Sequence, residues 1–176
     1  MAISTIDSTG MTFPLGASTI TAGTVVASTS GTSIDFTALP SWVKRITIIL
    51  SGMSTSGTSV PLVRLGTGST TFATTGYLGS GFGCVSGASP AINNYTNGFA
   101  IGSDRASTYV NHGTIVIANI TGNTWVSNAF GGQSDAGRAW GHGGTIALGA
   151  ALTAVRLTTV NGTDTFTAGS INILYE

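Results

Sequence analysis

Short alternating runs of β-branched and apolar residues, each closed by glycine, asparagine or serine, recur along the chain and leave no room for a four-turn amphipathic helix. The clearest are VKRITIIL (43–50), SVPLVRLG (59–66), GTIVIANI (113–120), NTWVSNAF (123–130), LTAVRLTTV (152–160) and SINILYE (170–176). Weaker runs lie at GTVVAS (23–28), TSIDF (32–36), TTFATTGYL (70–78) and GFAIG (98–102). Period-two alternation over such lengths specifies half-buried strands. Many of them at this spacing predict an all-β, antiparallel β-sandwich or jelly roll.

Charge separates this reading from disorder. The 176 residues include six basic and six acidic side chains, 7% charged in all, against roughly 25% in ordinary globular domains. A disordered chain combines low hydrophobicity with high net charge. Here the hydrophobic fraction is 41% and the net charge is zero, so the scarcity of charge belongs to strands surfaced with threonine and serine. A neutral surface also lacks the repulsion that keeps like molecules apart, which predicts self-association or incorporation into a larger assembly.

The same composition narrows the function classes. Cys84 stands alone, so no internal disulfide or thiolate cluster is expected. No apolar run approaches the ~18 residues of a membrane span. The start, MAISTIDSTGMTFPLG, lacks the basic and apolar regions of a signal peptide, so assembly in a cytoplasm is expected. The five arginines and single lysine are scattered apart from Lys44-Arg45, which argues against a nucleic-acid partner.

Two local patterns are specific enough to place. Thr121, Gly122 and Asn123 predict a hairpin turn between ANI and TWV. In the last stretch, Val155–Glu176, the runs VRLTTV and SINILYE flank a connection opening with Asn161-Gly162 and predict a closing hairpin. Alternation puts Ile171, Ile173 and Tyr175 on one face, opposite Asn172 and Leu174, and Val155 and Leu157 opposite Arg156 and Thr158. Ile46, Ile48 and Leu50 should point inward, and Trp42 in LPSW should plug one end of the sandwich. Residues 1–35, with isolated Met11, Phe13 and Leu15, read as an N-terminal docking arm ahead of a sandwich domain at 36–176.

Candidate chemistry is sparse. AFGGQSDAGRAWGHGGTI (129–146) reads as a long glycine-rich loop presenting Gln133, Asp135, Arg138, Trp140 and His142. Tryptophan stacks on sugar rings and amides bind hydroxyls, so these residues suit a surface glycan; tryptophan and arginine equally suit a subunit interface. Asp104-Arg105 reads as an exposed ion pair of small energetic worth. His112 and His142, even with Asp135 or Asp104, lack metal-ligand spacing, so no metal or other cofactor is expected. Glycoside hydrolysis needs two carboxylates at a set separation, and Asp35 and Asp164 both read as structural. No enzymatic activity is therefore expected, with a polysaccharide depolymerase as the least favoured alternative.

The block DFTALPSWVKRIT (35–47), the following S-T-x-G-T-S (54–59), Gly76-Tyr77, NTWV (123–126) and the closing AVRLTTVNGTDTFTAGSINILYE (154–176) together resemble a module found at the C-termini of tail-fibre and other virion proteins of tailed bacteriophages. The resemblance covers roughly 32–176 and rests on the two end blocks. It implies a jelly-roll or lectin-like sandwich, trimeric, on the surface of a virion, with the arm joining it to other tail or capsid proteins. A tail-fibre or receptor-binding component is the favoured role, and a capsid decoration protein the alternative.

Overall fold

The structure is a computed structural model describing the backbone of 6–7 and 10–11 and all of residues 20–103, 109–135 and 137–176. The described residues form strands and turns without a helix. A short pair, β1 (Ile6–Asp7) and β2 (Gly10–Met11), precedes β3 (Thr21–Ala22), β4 (Val26–Ala27) and β5 (Ile34–Phe36). Then follow β6 (Arg45–Thr55), β7 (Pro61–Gly66), β8 (Leu78–Val85), β9 (Ala91–Tyr95) and β10 (Phe99–Ala100). The remaining strands are β11 (Asn111–Thr121), β12 (Thr124–Gln133), β13 (Arg138–Ala147), β14 (Ala154–Thr159) and β15 (Phe166–Tyr175).

The pairings are antiparallel and build two main sheets. One runs β3-β15-β6-β11-β12-β13-β8-β9, with β4 also pairing β15; the other runs β10-β7-β14-β5. Their apolar faces meet in one core. Ile46, Ile48, Ile115, Ile117, Ile171 and Ile173 from the large sheet join Ile34, Val63, Leu65, Val155 and Leu157 from the small one. The β6, β14 and β15 alternation therefore falls as the sequence requires, and the fold is all-β and sandwich-like.

The closing stretch departs from the expected hairpin. β14 pairs with β5 and β7 in the small sheet, whereas β15 pairs with β3, β4 and β6 in the large one. Residues 160–165 therefore cross between sheets instead of turning back within one. A strand–turn–strand pattern identifies which faces are buried, but not whether the chain returns in the same sheet. The crossing is fixed by side chains: Asn161 Oδ1 accepts from the Thr163 N–H at 3.0 Å, and Asp164 Oδ2 accepts from the Ser59 N–H at 2.9 Å. It runs beside the other crossing, 56–60, with the Ser56 N–H on Thr165 O and the Val160 N–H on Val60 O. The S-T-x-G-T-S segment thus meets the Asn161-Gly162 segment, and Gly57 leaves the room that the Asp164 carboxylate fills.

Three more expectations change. The sandwich begins before residue 36: β3 and β4 pair with β15, and β5 straddles the expected boundary. Phe13 and Leu15 lie outside the described residues, and of Met11 only the backbone is described. Trp42 plugs nothing; it is 52% exposed and leans on Tyr175 with ring centroids 6.1 Å apart, while neighbouring Leu39 and Val43 enter the core. Residues 129–146 are not a loop but the facing parts of β12 and β13. By contrast, the turn at Gly122 joins β11 to β12 as expected, with Thr121 opposite Thr124 and φ +50° at Gly122, the position where primed hairpin turns favour glycine.

Candidate functional site

In the β12–β13 ladder Gln133 opposes Arg138, and Arg138, Trp140 and His142 alternate onto that same side, so these candidates are separated by their distance along the strands from the turn. Trp140 and His142 point into the sandwich, at 1% and 7% exposure. The Trp140 ring covers Gly131 and reaches Gly113 on the next strand, where the missing Cβ atoms make its seat. Its Nε1 is buried without a hydrogen-bond partner. Such a ring is packing, and a sugar has no access to it.

His142 is also buried, between the two sheets. Its Nε2 is 2.8 Å from Ser127 Oγ, and its ring stacks on Phe99 of the small sheet at 5.8 Å and 5°. Phe99 in turn meets edge-on the ring of Tyr77, whose Oη accepts the Leu65 N–H at 2.7 Å. Burial pushes the Tyr77 phenol up to about 12 and the His142 imidazole down to about 4. Serine and histidine in contact invite a nucleophile reading, but Ser127 is itself buried and, among the described residues, no carboxylate orients the ring.

The low His142 value sets a pH dependence. Folded, the ring stays neutral down to about pH 4, whereas an unfolded histidine takes up its proton near pH 6.5. Stability is then complete above about 6.5 and falls as pH drops toward 4. Chemical denaturation at pH 7 and pH 4.5 should show that loss, and His142→Gln should lose clearly less over the same interval. Equal pH dependence in the two proteins would refute the assignment.

Gln133, Asp135 and Arg138 gather at the other place, the β12–β13 turn. Gln133 is buried, its Nε2 donating to Asn111 Oδ1 at 3.1 Å, and Asn111 Nδ2 donates onward to Met53 O. Asp135 Oδ1 accepts the Val110 N–H at 2.8 Å, tying the turn to the neighbouring segment. The Arg138 guanidinium sits 4.5 Å from the centre of the Tyr109 ring. Between them opens a depression of about 480 Å³ whose lining includes His112, Ser134, Gly137 and Arg138.

His112 belongs to this group although the sequence pattern treats it only as a metal candidate. Nδ1 accepts the Gly52 N–H at 3.2 Å, so a neutral ring carries its proton on Nε2 and donates to Ser134 Oγ at 3.1 Å. His112 faces out where His142 faces in, so the two cannot share an ion. No group of three or more His, Cys, Asp or Glu suited to a metal occurs among the described residues. Asp104-Arg105 lies outside them.

The structural acids are engaged elsewhere. Asp35 receives both Nε and Nη2 of Arg156 at 2.7 Å, and that guanidinium also covers the Phe72 ring at 4.1 Å. Asp164 holds the sheet crossing already described and accepts Asn161 Nδ2 as well. No protein-family model matches the chain, and no curated protein matches it.

Proposed function

We propose that this chain is a non-enzymatic structural protein of a tailed-bacteriophage particle, displayed as a homotrimer and acting as a tail-fibre or receptor-binding component. The sequence resemblance brings the proposal forward. The observation that carries its non-enzymatic part is the use of the carboxylates: Asp35, Asp135 and Asp164 each accept hydrogen bonds from an arginine or a backbone N–H that fixes a local turn or strand. Hydrolysis of a glycan needs two such groups free and facing one bond.

In this reading the β12–β13 turn meets the host surface. Its Arg138 and Ser134, the latter held by His112 of β11, face a depression where sugar hydroxyls or acidic groups can reach them. Arg138→Ala should lower adsorption of particles to host cells by about tenfold, the worth of one charge-assisted contact, with the trimer retained. Unchanged adsorption would sink the receptor-binding role. Labelling the protein on intact particles decides its place: label on the head lattice would replace the tail-fibre role with capsid decoration. Shortening of host polysaccharide by the purified protein would refute the non-enzymatic reading.

A further inference from the structure

The outer face of the large sheet is unusually apolar for a surface directed away from the core. The ladder places Ile92, Phe82, Gly141, Phe130, Thr114 and Ile49 in one row across six strands. Phe130 is 66% exposed and Ile92 67%, and Leu78, two rows along, is 69% exposed. The adjoining row carries Ser80, Gly143, Asn128, Val116 and Thr47. Neither row holds a charged side chain. Arg45, which borders them, is paired with Glu176 at 3.3 Å.

We propose that this face is the contact surface between copies of the chain, with Phe130 as its anchor. Size supports the choice. The six strands of that row, about 4.8 Å apart and about eight residues long at ~3.3 Å each, present roughly 760 Å². A standard stable interface takes about 800 Å² from each partner. Charge supports it too: a nucleic acid or a charged protein finds nothing to pair with here, whereas a second neutral face meets no repulsion.

Shape gives the contact its form. Phe130 stands on β12 beside β13, whose outward positions include Gly141 and Gly143. The Phe82 ring fills the space over Gly141, but a side chain at Gly143 would meet nothing within 4 Å. Each copy therefore offers a ring and, on the next strand, a trough open to a neighbour's ring. Ring-into-trough contacts close around a two-fold or a three-fold axis. Only the choice of three rests on the trimer proposed above.

Sedimentation of the full chain tests the surface. The wild type should form a trimer, and Phe130→Asp should weaken association by about 30-fold or more with an unchanged circular dichroism spectrum. Asn128→Lys, in the adjoining row, should act in the same direction without removing any apolar group. Val25→Asp, which charges a residue equally exposed elsewhere, should leave the wild-type mass. A monomeric wild type, or a trimer that survives both Phe130→Asp and Asn128→Lys, overturns the proposal. A wild-type dimer split by Phe130→Asp upholds the surface and refutes the trimer.

Discussion

Trp140→Ala should lower the unfolding free energy by about 3–5 kcal/mol, the range for truncating a buried aromatic, and should do so in protein bound to nothing. The ring is among the largest fully buried side chains, and it lies over two glycines whose backbones cannot collapse into the space it leaves. Trp140→Phe should cost less, since it keeps part of the ring and removes an indole N–H that has no partner. Urea denaturation measures both. A loss under 1 kcal/mol for Trp140→Ala would mean that the ring is not the core element described, and would reopen its use as a ligand-stacking surface.

Gly169→Ala is the second large effect, expected at about 2–5 kcal/mol from left-handed backbone strain and overpacking together. Gly169 has φ +87°, and an added Cβ would come closer than 3.0 Å to backbone atoms of Gly52 and Ser51. Side-chain contacts relax by rotation; these do not. The site is a double irregularity, where the β15–β6 register shifts and Gly52 itself has φ +69°. Gly162→Ala offers the comparison: φ is +70° there, but nothing lies within 4 Å, so only the backbone term should appear. Equal losses at 162 and 169 would show that close approach contributes nothing.

What the sequence revealed, and what it concealed, follows from which physical signals are local. Strands with β-branched alternation were legible, so Ile46, Ile48, Ile171 and Ile173 could be assigned inward from their spacing alone. Strands built around glycine were not: LGSGFGCV and RAWGHGGTIA lack the pattern because their glycines make room for the adjacent strand, Gly141 for the Phe82 ring and Gly79 for the backbone of Gly143 and Gly144. The need for those glycines resides in the partner strand, which no local window contains. Sheet membership was equally hidden, so the β14–β15 crossing read as a hairpin.

The candidate site divides along the same line. Arg138 and Asp135 stayed at the surface because they sit at a real turn, while Trp140 and His142 went inside once 138–147 became a strand. Phe130 was within reach of sequence reasoning. Alternation from Trp125, which is buried, places residues 126, 128 and 130 outward, and an outward phenylalanine on a strand marks a surface to be covered.

The position of β15 inside the large sheet constrains how the protein can be made. It lies between β3 and β6, pairing Tyr175 with Ile46 and Ile173 with Ile48. A ribosome must therefore add more than a hundred residues after β6 before that strand meets its neighbour. During this interval Ile46 and Ile48 have only part of their cover, and one edge of β6 stays open to strands of other nascent chains. Synthesis on crowded polysomes should thus favour aggregation, and slower translation alone gives no relief until residues 166–175 emerge.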